Sequence, residues 1–285
     1  MSAVISPSEG ALAVAGAAEV AFARTHGATR LKHLYQRDPL RVLFPTPEDP
    51  ALPVAVVVTT SGGLVGGDRL SIALKVGQDA RALCTTQAAE KIYRSAGRDC
   101  RVDVALAVAQ EGWLEWLPHE TILFEGARIR RRTLADVDRG GKLMAAELVV
   151  LGRTARGERL TYGLVRDAWE IRRAGRLIWA DALHLEGDLA RVIAAPAGLA
   201  GAVAYATFVY VADDAAERLD LARGLLPAND EAALRAGATL VNGVLIARWL
   251  ACDALALRAS FAAFWAAFRR RAGGGDGGLP RLWSA

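Results

Sequence analysis

With 285 residues, 53% of them hydrophobic, the chain has enough apolar side chains to bury a sizeable core, which argues against intrinsic disorder. Its net charge of +4 arises from 35 basic residues, nearly all Arg, dispersed among 31 acidic ones, a pattern that argues against a nucleic-acid track. Cys84, Cys100 and Cys252 are odd in number and far apart, which argues against a disulfide framework and points to the cytoplasm.

At the N-terminus, Ala11 to Ala18 has the apolar character of a signal-peptide core, but Glu9 precedes it and no Lys or Arg stands before it. Residues 1–21 therefore read as a variable leader, and residues 22–285 as a single β-rich domain. From Phe22 to about Ala212, short apolar or alternating runs are punctuated by glycine and polar turns, the texture of many β-strands. Val54 to Thr60 is a β-branched run. Leu70, Ile72, Leu74 and Val76 then alternate with Ser71, Ala73 and Lys75, which buries one face. Between them, Gly62, Gly63, Gly66 and Gly67 permit positive φ angles and a tight reversal that leads to Asp68. Further strands are expected over Arg81 to Thr86, Arg101 to Val108, Ile129 to Val137, Leu143 to Leu151, Leu160 to Ile171, Arg176 to Leu185 and Ala204 to Val211.

The clusters Arg128, Arg130, Arg131, Arg132 and Arg269, Arg270, Arg271 read as solvated faces, because no ladder of aromatic residues accompanies them. Val192 to Ala212 is uncharged for the length of a bilayer span, but it is rich in Ala and Gly and contains Pro196, so a buried turn and strand is expected rather than a membrane segment. Beyond Ala212 the C-terminal part changes character. A short helix is expected around Asp214 to Leu225, and an amphipathic helix over about 254–272 on the spacing of Leu257, Phe261, Phe264, Trp265 and Phe268. It ends at Gly273 to Gly275, and Gly273 to Gly278 reads as a flexible connection to the tail. The fold class is mainly β with few helices. No internal repeat is evident.

Ordinary active-site patterns are absent. Gly62 to Gly67 is followed by Asp68 and Arg69, so an acid stands where a P-loop needs its lysine, and the adjacent glycine pairs do not fit the dinucleotide fingerprint. Gly-x-Ser-x-Gly does not occur. A hydrolase is left only a triad assembled from distant residues, with Ser61, His119 and Asp68 as candidates. Cys84, in an apolar strand, reads as an inert thiol. His26, His33, His119 and His184 form no metal-binding pair at short spacing, which leaves only a weaker site of dispersed oxygen and imidazole ligands.

Four blocks taken together carry a resemblance. Thr59-Thr60-Ser61-Gly62-Gly63-Leu64-Val65-Gly66-Gly67-Asp68-Arg69-Leu70 resembles the hallmark loop of the UreD (UreH) family of urease accessory proteins. Thr85 to Ser95, Leu114 to Ala127 and the tail Leu279-Pro280-Arg281-Leu282-Trp283 follow in that family's order. His119 stands where the family pattern has glutamine. The resemblance implies a helicoidal stack of β-sheets that acts as a chaperone and not as an enzyme, in a heteromeric complex with two copies each of UreF and the GTPase UreG. It also implies that nickel(II) is carried transiently, with no tightly bound cofactor, toward apo-urease through an internal, water-filled passage.

Oxygen ligands suited to such a passage are Asp68, Thr85, Thr86, Gln87, Glu120 and Glu147. Each has an alternative. Asp68 can bond the loop's backbone amides, Thr85 and Thr86 can be plain strand residues, Glu120 can anchor a turn, and Glu147 can face solvent. Glu90 and Lys91 read as a surface pair. The C-terminal helix and Trp283 can meet UreF or pack on the β body.

Overall fold

The computed structural model describes residues 13–228, 233–275 and 278–283. Glu9 and the start of the leader lie outside the described residues, as do parts of the glycine-rich segment and tail. The strands, in chain order, are β1 (Ala15–Thr25), β2 (Ala28–Arg37), β3 (Leu40–Leu43), β4 (Val54–Thr59), β5 (Arg69–Val76), β6 (Arg81–Thr86), β7 (Glu90–Ile92), β8 (Cys100–Val108), β9 (Trp113–Leu117) and β10 (Thr121–Leu123). β11 (Arg128–Val137), β12 (Lys142–Leu151), β13 (Tyr162–Arg173) and β14 (Arg176–Asp188) lead into α1 (Leu189–Ala194). β15 (Ala204–Val211), α2 (Leu219–Leu225), β16 (Leu234–Val241), β17 (Val244–Ala251) and α3 (Ala254–Ala272) complete the order.

These strands form two stacked, solenoid-like sheets. Sheet A runs β14-β13-β11-β8-β5-β1-β2, and sheet B runs β16-β17-β15-β12-β9-β6-β4-β3, with β10 bridging β12 and β7. From β4 to β13 the chain coils between them, with β7 following β6 and β10 following β9 in sheet B, and paired neighbours are parallel. Val54 lies opposite Leu83, Arg81 opposite Trp113, and Lys142 opposite Trp113, so each coil advances roughly thirty residues. The repeat is one of backbone path, which explains why the side chains do not announce it.

The coil path overturns the tight reversal expected at the glycine loop. β4 belongs to sheet B and β5 to sheet A, so residues 60–68 cross between sheets. A second correction concerns the leader, because β1 starts at Ala15 and pairs with both β2 and β5 inside sheet A. Its apolar residues Ala18, Val20 and Phe22 belong to the core between the sheets.

Burial follows from the layering. Strands of sheet A alternate, as β5 and β8 do, because their outer face meets water. Sheet B is covered on both sides, so β9 and β15 are buried throughout. The residues of β12 divide by phase: Leu143, Ala145, Val149 and Leu151 face sheet A, while Met144, Ala146, Leu148 and Val150 face the helices. α3 covers that outer side with Leu257, Phe261, Phe264, Trp265 and Phe268 against Phe208 and Trp249. Asp253 caps it by accepting from Leu255 N and Ala256 N, and Gly273, at φ 90°, ends it.

The Val192 to Ala212 segment holds the end of α1, a turn and buried β15, as expected. Among the described residues, no helix is long and apolar enough to cross a membrane. Strands extend past the Ala212 limit expected from sequence, since β16 and β17 form a hairpin between α2 and α3. Its turn is Asn242-Gly243 at φ 48° and 82°, the pair a type I′ turn requires.

Candidate functional site: a polar cavity between the sheets

Strand phase brings charged groups into the interior. Along β11, Ile129, Ala135 and Val137 face the core, and Arg131 and Thr133 share their phase. Along β13, Val165, Trp169 and Ile171 do the same for Asp167. Glu147 projects from sheet B on the phase of Ala145 and Val149. The three meet: Arg131 Nη1 lies 2.5 Å from Glu147 Oε1, and Arg131 Nε and Nη2 donate to Asp167 Oδ1 and Oδ2 at 3.1 and 2.9 Å. Arg131 Nη1 also donates to Thr121 Oγ1 at 2.9 Å. Arg131, at 5% exposure, is thus no part of a solvated face.

One guanidinium cannot neutralise two carboxylates. Burial pushes the Glu147 carboxyl up to about 8, despite the nearby Arg131 charge. A protonated Glu147 still accepts from Arg131 through its carbonyl oxygen.

This cluster borders a cavity of about 50 Å³ between the sheets, whose polar lining comprises Thr59, Thr86, Glu90, His119, Thr121, Arg131 and Glu147. Glu90 accepts from Thr59 Oγ1 at 2.5 Å, and burial raises its carboxyl above the usual range. It lines the interior, so the surface-pair reading with Lys91 is corrected. Burial holds the His119 imidazole below its usual range, with Nε2 3.0 Å from Leu282 O and Nδ1 3.3 Å from Thr86 Oγ1. Trp116 lines the same space, and its buried Nε1–H has no hydrogen-bond partner among the described residues.

Of the oxygen ligands expected from sequence, Thr86 and Glu147 line this cavity. Asp68 is buried in the glycine loop, where its carboxylate accepts from Val14 N and Val65 N, each at 2.9 Å. Thr85 turns to the helix side, donating to Leu117 O at 2.6 Å and accepting from Trp283 Nε1 at 3.3 Å. Gln87 is exposed on an outer groove of about 780 Å³ beside Leu43, Phe44 and Leu282. Glu120 pairs with Arg258 at 3.2 Å. Gly62, Gly63, Gly66 and Gly67 lie in the crossing between the sheets. Ser61, His119 and Asp68 are not hydrogen-bonded to one another; Ser61 Oγ donates to Gly63 O. Cys84 is buried, its thiol pushed up to about 12 by burial and by Glu115. Among the described residues, no three His, Cys, Asp or Glu side chains converge as a metal site.

A second buried ion pair fastens α3. Arg269 Nε donates to Glu115 Oε1 at 2.8 Å, and Trp113 and Trp265 donate to the same carboxylate at 2.9 and 3.2 Å. Arg269 is 3% exposed, so the reading of Arg269 to Arg271 as a solvated face fails at its first member. The tail also returns to the body: Trp283 stacks on His119 with ring centroids 4.9 Å apart. Arg269 Nη1 donates to Gly278 O at 3.0 Å.

A family model described as UreD urease accessory protein matches residues 14–284. The chain is 45% identical to the urease accessory protein UreD of Magnetococcus marinus, over 98% of this chain and 96% of the relative. It is 43% identical to that of Rhodopseudomonas palustris strain HaA2 over 90% and 88% of the two chains. Against that of Azorhizobium caulinodans the identity is 41%, over 90% and 92%.

Proposed function

The chain belongs to the UreD family of urease accessory proteins and has a role in urease maturation, and from that premise we propose that it is a non-catalytic scaffold and nickel conduit. It acts in the cytoplasm with UreF, the GTPase UreG and apo-urease, in a complex holding two copies of each accessory protein. Nickel is cargo, bound transiently and passed on.

The observation that carries this reading is the polar cavity between the sheets. Glu90, His119, Thr86 and Glu147 offer oxygen and imidazole donors, both acceptable to nickel, along one interior space. Water is the ready partner for the buried Trp116 N–H there, which favours a wet passage. A carboxyl held protonated, as burial holds Glu147, releases its proton when a cation arrives, so binding and release are coupled to proton exchange.

The test is nickel content and urea hydrolysis of urease co-expressed with UreF and UreG, with the wild-type chain, with Glu147→Gln, and without the chain. Loss of nickel without the chain and partial loss with folded Glu147→Gln are expected. Equal loading without the chain overturns the chaperone reading. Normal loading by Glu147→Gln overturns the interior route alone.

A further inference from the structure

The two sheets do not end flush. β2 closes sheet A and β3 closes sheet B at the same end of the molecule. The ladder sets Leu34 opposite Val20 and Leu31 opposite Phe22, so both leucines share the phase of core residues. They are nonetheless 39% and 43% exposed. Leu43 and Phe44, just beyond, are exposed as well.

The opposite phase of β2 is cationic. Arg30, His33, Tyr35 and Arg37 lie opposite Ala23, Ala21, Glu19 and Ala17, and Lys32 falls at the register shift; His33 Nε2 is 3.2 Å from Glu19 Oε2, which leaves Arg30, Lys32 and Arg37 as the cations of this face. β2 contains no carboxylate. Among the described residues, Arg30, Lys32 and Arg37 make no ion pair, and no backbone hydrogen bond reaches β2 from beyond its β1 neighbour. The strand thus offers an open row of backbone groups, an apolar row on one side and a basic row on the other.

We propose that β2 is a docking edge for an extended, acidic segment of a partner protein, one that alternates carboxylates with apolar side chains. Such a segment continues sheet A: its apolar residues cover Leu31 and Leu34, and its carboxylates meet Arg30 and Arg37. Charge selects this occupant over a second copy of the chain, which would bring two basic rows together. The inference does not depend on the nickel route.

The test uses the full chain and a fluorescein-labelled peptide of roughly eight alternating Glu and Val residues, followed by anisotropy and by hydrogen exchange of the β2 amides. Binding that weakens with salt, protection of β2, and no binding of a Lys/Val peptide are expected. Arg30→Glu/Lys32→Glu, checked for folding by circular dichroism, is expected to bind about tenfold more weakly. Absence of binding overturns the proposal and leaves the cations as a guard against stray strands. Binding unaltered in the folded variant, or protection elsewhere, also overturns it. So does a concentration-dependent dimer in sedimentation that Arg30→Glu/Lys32→Glu abolishes.

Discussion

Arg131 of one sheet and Glu147 of the other meet at 2.5 Å in the interior and join the two layers there. The same guanidinium holds Asp167 from its own sheet. Arg131→Met leaves the buried Asp167 carboxylate without a counter-charge and the Glu147 carboxyl without its donor, and is expected to cost about 3–5 kcal/mol, read as a shift in the urea midpoint. Adding Glu147→Gln and Asp167→Asn to that variant removes the stranded charge and is expected to restore stability toward wild type.

Glu147 also sets a pH dependence. Its folded-state pKa, about 8, lies above the ordinary 4.5, so between these values the folded protein holds a proton that the unfolded chain has released. This contribution is present in full below the ordinary value and is lost as pH rises toward 8, with a slope of up to about 1.4 kcal/mol per pH unit. Unfolding curves of wild type and Glu147→Gln across this range are expected to converge as the pH falls. An identical slope in both removes the assignment.

The glycine loop separates two kinds of glycine. Gly62 adopts φ 74° with open space around a Cβ, so Gly62→Ala carries only the left-handed backbone penalty, about 1–2 kcal/mol. A Cβ on Gly66 would sit 2.5 Å from Arg98 O and closer still to Ser95 Oγ. Gly66→Ala is therefore expected to lower the thermal midpoint more than Gly62→Ala.

The tail is structural. Trp283 is 5% exposed, stacks on His119 and bonds Thr85, so Trp283→Ala is expected to cost about 3–5 kcal/mol in chemical denaturation. Leu255→Ala, at a position 76% exposed, serves as the control and is expected to stay within about 0.5 kcal/mol.

Much of the secondary structure was legible because its causes are local. The alternation from Leu70 to Val76 and the helical spacing from Leu257 to Phe268, framed by Asp253 and Gly273, each report one face meeting a core. The hairpin at Asn242-Gly243 went unread, although the turn pair itself is its signal. Arg131 was half legible: its phase with Ile129 and Ala135 places it on the buried side, but a run of arginines reads as solvated when single residues are weighed without phase.

From the sequence alone came the β class, the C-terminal helix and the family resemblance, since periodicity, capping and ordered motifs are properties of neighbouring residues. Only the tertiary structure decided that the glycine loop crosses between sheets, that Glu90 and His119 share a cavity with Glu147, and that Arg131 lies inside. A charge stays buried only where partners compensate it, and Glu147 and Asp167 arrive from other strands, Asp167 from 36 residues along the chain. No local pattern encodes that meeting; the stacking of the coils does.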